Sequence, residues 1–242
     1  TALAQEPLTE LIYLPILMRA DPRVTPFGVE AQSPFTISST YNRTKDLEVG
    51  AVRMSLRIKW RELQPVQGGP ILWYLLENVE RELRILNAAD IDAVLVITES
   101  PLWAVVTSED DKGICDFDGD GIKESPCSID ENGDGSGDGK SYCGAIARDK
   151  FDDFAAFMRQ LVLRYKTPEY NVKIWELGNE PDVDPNYVPG DSIYGCWGDD
   201  QVDHYNGKYY GEMLQSVTPV IKAADPSAQV WIGGLLLSKP DT

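Results

Sequence analysis

The stretch KIWELGNEPD, residues 173–182, places an amide and a carboxylate directly after an apolar segment. Its first half is typical of a buried strand, and Asn179-Glu180-Pro181 then ends it, because proline cannot continue a central strand. Catalytic side chains of parallel α/β barrels lie at the carboxyl ends of strands, where a glutamate can exchange protons with a substrate. Glu176 lies four residues before Glu180, so both side chains would point to the same face. The stretch predicts a site built around Glu180.

A second group of residues with chemical potential lies in the acidic segment of residues 107–147. Its motifs CDFDGDGIKESPC and DENGDGSGDG each alternate oxygen-bearing side chains before a glycine. This is how a short loop wraps Ca²⁺, with the next backbone carbonyl as a further ligand. The predicted ligands are Asp116, Asp118, Asp120 and the carbonyl of Ile122 in the first motif, and Asp130, Asn132, Asp134 and Asp138 in the second. We expect two structural Ca²⁺ ions.

The alternative is a solvated acidic loop without a bound cation. Residues 109–140 contain 11 acids and three lysines, whose mutual repulsion favours a bound cation. The motifs lack the glutamate at position 12 of the helix-loop-helix calcium site, where the first motif has Cys127. They resemble the calcium loops of thrombospondin type 3 repeats and of dockerins, which implies that the ions stabilise the loop.

Four cysteines, three of them in or beside the acidic segment, predict disulfides. They are Cys115, Cys127, Cys143 and Cys196. Four cysteines allow three pairings, of which we favour Cys115–Cys127 with Cys143–Cys196, in an oxidising compartment. A zinc site is the competing interpretation, but no C-x-x-C occurs and His204 is the only histidine.

The elements that position these residues alternate between short apolar segments and longer ones with helical periodicity. The predicted strands are residues 26–31, 51–58, 91–98, 172–177 and 229–236, and the predicted helices are 73–88, 151–165 and 205–224. Pro219 is expected near a kink or boundary of the last helix. Alternating strands and helices predict an α/β fold with a parallel sheet, and continuously apolar strands predict that both sheet faces are buried. The sheet is either open or the first five strands of a (β/α)8 TIM barrel.

Composition and charge exclude several function classes. The chain has 242 residues, of which 43% are hydrophobic, and a net charge of −17, so no nucleic-acid or anionic-membrane partner is expected. No apolar run reaches the ~18 residues of a transmembrane segment. In the N-terminal extension, residues 1–23, Ala2-Leu3-Ala4 fits a signal-peptidase site, with a chance triplet as the alternative. The apolar segment 11–18 predicts a short edge strand or a docking segment. We expect an extracellular or cell-surface location.

Several segments together resemble glycoside hydrolase clan A, the retaining glycosidases with (β/α)8 barrels. The resemblance rests on VGAVRMSLRIKWRELQP and IDAVLVITESPLWA for the second and third strands, GNEP after the fourth, and FGVEAQ and VWIGGL for the first and fifth. Families 5 and 39 are the most similar groups. The resemblance implies a TIM-barrel type fold over residues 24–242, with about the first five β/α units present and residues 107–147 as an inserted loop.

The same resemblance implies roles for three residues. Glu180 would be the general acid/base that protonates the leaving glycosidic oxygen and then activates water. Asn179 would hydrogen-bond the sugar 2-hydroxyl, and Arg53 would point into the barrel and support the nucleophile. A buried Glu176 needs a partner, and Arg53 is the candidate.

Four further residues could contact substrate. Glu176, on the inner face of its strand, is one of them, with a purely structural role as the alternative. Trp103 would give an apolar platform for a pyranose ring, with an ordinary core or rim position as the alternative. Glu30 and Glu99 end the first and third strands and could reach sugar hydroxyls, with ordinary rim residues as the alternative. Substrate would be an oligo- or polysaccharide.

Retaining hydrolysis requires a second carboxylate about 5 Å from the first. In the clan this nucleophile comes from the seventh strand, so here it is expected outside this chain. We expect a longer gene product, a second chain that completes the barrel, or self-association. Two hypotheses follow. One is a secreted glycoside hydrolase that cleaves β-glycosidic bonds, and the other is a non-catalytic surface, filament or glycan-binding protein on a glycosidase-like scaffold.

Overall fold

The computed structural model describes residues 28–30, 38–105, 145–183, 197–198 and 206–236. The strands in this part of the chain are β1 (Gly28–Glu30), β2 (Ala51–Lys59), β3 (Asp92–Thr98), β4 (Ile174–Leu177) and β5 (Gln229–Ile232). The α-helices are α1 (Ser38–Asp46), α2 (Trp60–Leu63), α3 (Glu77–Ala88), α4 (Phe151–Tyr165) and α5 (Gly207–Ala224). Short 3₁₀ turns span Trp73–Leu76, Leu102–Ala104 and Arg148–Lys150.

The five strands form one parallel sheet in the order β1-β2-β3-β4-β5. Each strand lies beside the one that precedes it along the chain, and the order never reverses. Doubly wound sheets reverse their strand order at a switch point, whereas (β/α)8 barrels add strands sequentially. The sheet is therefore α/β of the TIM-barrel type with five strands, which confirms the predicted fold class.

The two faces of the sheet bury different kinds of side chain. On the outer face, strand residues such as Met54, Leu95 and Trp175 join one apolar core with the helices. On the inner face, Val94 and Val96 of β3 are buried beside charged residues from the neighbouring strands. Strand side chains alternate between the two faces of the sheet. The same strands can therefore give apolar side chains to the outer core and some charged side chains to the inner face.

Sequence periodicity located most of these elements. The three predicted helices and five predicted strands are present, although β5 ends at Ile232, before two glycines. Helices α1 and α2 were not predicted, since α1 is polar and α2 is only one turn long. Pro219 lies inside α5 and does not end it, so of the two predicted outcomes the boundary is excluded, and the kink stays a prediction.

Several predictions concern residues outside the described ranges. They are the signal-peptide remnant and strand of residues 1–23, the calcium ligands Asp116, Asp118, Asp120, Ile122, Asp130, Asn132, Asp134 and Asp138, and the cysteines Cys115, Cys127, Cys143 and Cys196. These stay predictions. Among the described residues, no helix has the length and apolar character needed to cross a bilayer. The same residues contain no group of three or more acidic, histidine or cysteine side chains arranged to hold a metal ion.

Candidate active site

The candidate site begins with an arginine on β2 that faces a glutamate on β4. Arg53 Nε donates to Glu176 Oε2 at 2.9 Å, and Nη2 donates to Glu176 Oε1 at 2.6 Å. The Glu176 side chain is only 5% exposed, and the backbone N–H of Gly234 also donates to its Oε1, at 3.2 Å. The hydrogen bond to Glu176 is the main cause that raises the pKa of Arg53. The predicted pairing of Arg53 with Glu176 is confirmed.

Arg53 also binds two other predicted site residues. Its Nη2 donates to Asn179 Oδ1 at 2.8 Å, and its Nη1 lies 3.1 Å from Glu30 Oε2. Ser55 Oγ donates to the other oxygen of Glu30. One guanidinium of β2 therefore contacts the last residue of β1, Glu176 of β4 and Asn179 just after β4, and the strand register places Glu30 directly beside Arg53.

Asn179 is oriented by this contact. Arginine offers donors only, so the amide oxygen of Asn179 must face it and the NH₂ group must point elsewhere. This NH₂ group binds no acceptor among the described residues, so it could donate to an oxygen of a bound molecule. The geometry is compatible with the predicted contact to a sugar hydroxyl.

Glu180 lies on the turn that follows β4. Its backbone is left-handed, with φ of 48°, as is that of Gly178, with φ of 87°. Non-glycine residues rarely adopt this conformation, and such strain concentrates at functional sites. The turn takes Glu180 out of strand alternation while leaving it near Arg53.

The surroundings of the Glu180 carboxyl group favour its protonated form. Its Oε2 atom is buried and accepts no hydrogen bond from the described residues. Burial raises the pKa of Glu180, the charges of Asp182 and Glu30 raise it further, and the charge of Arg53 lowers it. A carboxyl with a raised pKa stays protonated to higher pH, as a general acid requires.

Glu99 and Trp103 are bound by neighbouring residues. The Glu99 side chain is 1% exposed, Arg61 Nε donates to its Oε2, and Lys59 Nζ lies 3.2 Å from its Oε1. A sugar hydroxyl would have to displace one of these cations to reach it. Trp103 is half-buried, donates from Nε1 to the Gln64 carbonyl at 3.2 Å, and packs edge-on against Trp60. The structure brings Glu30, Arg53, Glu176, Asn179 and Glu180 together and places Glu99 in a separate ion cluster.

Sequence reasoning missed three residues that support this site. The Tyr210 hydroxyl donates to the Leu177 carbonyl, Gly233 lies against the turn that carries Glu180, and Gly234 binds Glu176. The glycine pair in VWIGGL could have indicated a close backbone approach at the end of β5. Nothing in the sequence distinguishes Tyr210 from its neighbour Tyr209.

No protein-family model and no curated protein matches the sequence. Solved structures similar to this chain include a monomeric β-xylosidase from Caulobacter crescentus, with 16% identity and a TM-score of 0.48 over 84% of this chain. An intracellular xylanase from Thermoanaerobacterium saccharolyticum has 12% identity and a TM-score of 0.44 over 85% of this chain, and an endoglucanase from Pseudomonas stutzeri has 11% and 0.46 over 86%. The chain spans 35%, 52% and 51% of these three proteins, respectively.

Proposed function

We propose that this chain carries the acid/base half of a retaining glycosidase site that cleaves β-glycosidic bonds in oligo- or polysaccharides. The observation that supports it most directly is the Glu180 carboxyl, whose buried oxygen has no donor among the described residues and whose pKa is raised. It follows the end of a parallel strand, beside an asparagine that Arg53 orients. A structural glutamate would be expected to have its own cationic partner, as Glu176 and Glu99 do.

In this mechanism Glu180 acts twice. In the first step the protonated carboxyl gives its proton to the glycosidic oxygen as that bond breaks and a second carboxylate bonds to the anomeric carbon. In the second step, water attacks the anomeric carbon and displaces the second carboxylate. The Glu180 carboxylate takes a proton from this water as it attacks. Asn179 would donate to a sugar hydroxyl beside the reacting carbon. The second carboxylate is expected from outside this chain.

The test is hydrolysis of aryl β-glycosides by the gene product that contains this chain. Glu180→Gln should lower kcat/KM by about 10²- to 10⁴-fold for a phenol that leaves poorly. The loss should be much smaller for dinitrophenol, because this leaving group needs little protonation. A matched control is Glu169→Gln, which changes an exposed glutamate in the turn after α4 and should leave both rates unchanged. Equal activity of Glu180→Gln and wild type, or the same loss for both phenols, would exclude Glu180 as the acid.

Secretion and calcium binding belong to the same proposal and rest on sequence alone. The acidic segment of residues 107–147 would hold two Ca²⁺ ions that stabilise the loop, with Asp116, Asp118, Asp120, the Ile122 carbonyl, Asp130, Asn132, Asp134 and Asp138 as ligands. Disulfides among the four cysteines would fit an oxidising, extracellular location.

A second candidate function is a non-catalytic assembly or glycan-binding role. It is favoured by the exposure of three large apolar side chains at and after the end of β5, namely Ile232 (55%), Leu235 (45%) and Leu236 (47%). Exposed apolar surface of this kind is typical of interaction sites. A comparison of the sedimentation of the wild type with that of the double variant Leu235→Ser/Leu236→Ser tests this assembly role. Self-association that the double variant weakens, in a protein without glycosidase activity, would favour this second function.

A further inference from the structure

The hydrogen bonding between β4 and β5 changes at the point where the candidate site begins. Gln229 N donates to the Lys173 carbonyl at 2.7 Å, and parallel ladders advance by two residues per rung. Continued at this register, the third rung would join Gly233 N to the Leu177 carbonyl. Gly233 N donates instead to the Tyr210 hydroxyl, at 3.2 Å, and that hydroxyl donates to the Leu177 carbonyl. A side chain of α5 is thus inserted into the ladder.

The inserted hydroxyl is held firmly in place. Tyr210 is buried, and Trp197 packs against its ring in a T-shaped contact with centroids 5.4 Å apart. Burial raises the pKa of Tyr210 well above its usual range, so the hydroxyl stays protonated and keeps its donor. Both strand ends therefore have a hydrogen-bond partner, although they do not pair with each other.

The turn that carries Glu180 starts where the Tyr210 hydroxyl lies between the two strand ends. After Leu177 the chain enters the left-handed conformations of Gly178 and Glu180 and folds over Gly233. A Cβ atom on Gly233 would lie 2.8 Å from the Gly178 carbonyl oxygen and 2.9 Å from Pro181 Cδ. The turn therefore rests on Gly233, whose own position depends on the Tyr210 hydroxyl.

We propose that Tyr210 is a positioning residue for Glu180: its hydroxyl, inserted between the ends of β4 and β5, sets the turn from Gly178 to Pro181. This rests on the proposed function, in which Glu180 is the acid/base. Without the hydroxyl, Gly233 N and the Leu177 carbonyl can pair directly. The strand ends then close, and the turn moves relative to Arg53. A displacement of about 1 Å at a catalytic group can cost 10²-fold in rate.

The test compares Tyr210→Phe with Tyr209→Phe in the complete chain. Tyr209 is the adjacent buried tyrosine of α5, and it donates to the Ile146 carbonyl at 2.7 Å, away from the turn. Both changes remove one buried hydroxyl, so both should lower the melting temperature. NMR titration of ¹³C-labelled glutamate carboxyls, with Glu180 assigned by its loss in Glu180→Gln, should show a changed Glu180 pKa in Tyr210→Phe only. A 4-aminophenylalanine at position 210, which restores a donor of similar reach, should return the titration toward that of wild type.

The titration needs no activity, so it tests the position of Glu180 even if the proposed hydrolysis is wrong. A Glu180 titration identical in wild type and Tyr210→Phe would overturn the positioning role, as would an equal change in Tyr209→Phe. If Tyr210→Phe does not fold, the 4-aminophenylalanine variant provides the test. A folded variant of this kind in which Glu180 has a pKa far from that in wild type would also overturn the positioning role. In an active protein, Tyr210→Phe should lower kcat for poorly leaving phenols about 10- to 100-fold with little change in KM.

Discussion

Arg53 of β2 and Glu176 of β4 form two parallel hydrogen bonds across β3, with N–O distances of 2.9 and 2.6 Å. Bidentate pairs of this kind fix geometry as well as charge. The intervening strand places the buried side chains of Val94 and Val96 beside the pair, so the pair spans a buried apolar strip. Since Arg53 also orients Asn179, the pair links the stability of the inner face to the shape of the site.

Replacing Arg53 with methionine should destabilise the protein by about 3 kcal/mol, because Glu176 would keep a buried charge whose one remaining donor among the described residues is the Gly234 amide. Arg53→Lys should recover part of this loss, since lysine restores the charge without the paired donors. Urea unfolding of the variants measures both effects. The control is Arg84→Met, which removes a pair with exposed Glu169 and contacts to Tyr170 and Glu80. It should change stability much less, because Glu169 is exposed and Glu80 keeps its closer pair with Arg164. Equal losses at the two sites would contradict the special role of the inner pair.

The raised pKa of Glu180 predicts a pH-dependent effect of Glu180→Gln on stability. Where folding raises the pKa of a carboxyl group, the folded state binds more protons than the unfolded state. The resulting stabilisation is fully present below the unfolded pKa, which is about 4.3 for glutamate. It is lost as the pH rises through the pKa of the folded state. Glutamine cannot ionise, so the variant avoids this loss. It should therefore be more stable than wild type at pH 7 to 8 and equal to it near pH 3. Thermal unfolding across this range would contradict the prediction if the variant were the less stable protein at pH 8.

Gly233→Ala should disturb the turn that carries Glu180. The added Cβ would lie within 3 Å of backbone and proline atoms that cannot rotate away, so the turn must shift. Overpacking of this kind typically costs about 1–3 kcal/mol. Gly234→Ala is the matched control, because a Cβ there meets nothing within 4 Å. A melting temperature for Gly233→Ala no lower than that for Gly234→Ala would show that the close approach does not matter.

Removal of calcium should lower the melting temperature if the acidic segment binds the two expected ions. The reason is the repulsion among its carboxylates, which a bound cation offsets. Calorimetric melting with EDTA and with excess Ca²⁺ measures the effect, and titration of Ca²⁺ gives the stoichiometry. Identical melting with and without EDTA would argue for the solvated loop.

A pair of substitutions at one position tests the first calcium motif by itself. Asp118→Ala removes a predicted side-chain ligand, so it should weaken Ca²⁺ binding by this motif. Asp118→Asn is the matched control, because the second motif already has an amide, Asn132, at the equivalent position. The asparagine variant should therefore bind Ca²⁺ more tightly than the alanine variant in the same titration. Equal Ca²⁺ affinity of wild type and Asp118→Ala would exclude this residue as a ligand.

Much of the candidate site could be predicted from the order of residue types along the sequence. Apolar strand segments followed by polar residues identified the ends of β1 and β4, and hence Glu30 and Glu180 as neighbours at one edge of the sheet. Even spacing predicted that Glu176 would be buried and would need a partner, and Arg53 is that partner. These features follow from strand periodicity and from the cost of burying a charge, both of which are local rules.

The α/β class, the sequential pattern of strands and helices, and the polar residues at the strand ends could all be predicted from local patterns of residue type. Which of these residues meet follows from the folded structure: Glu99 is enclosed by Arg61 and Lys59, whereas Asn179 is bound by Arg53. It alone distinguished Tyr210 from Tyr209, since two adjacent tyrosines of one helix reach different carbonyls. The physical reason is that contacts between distant residues depend on strand register and helix rotation, which no local pattern specifies.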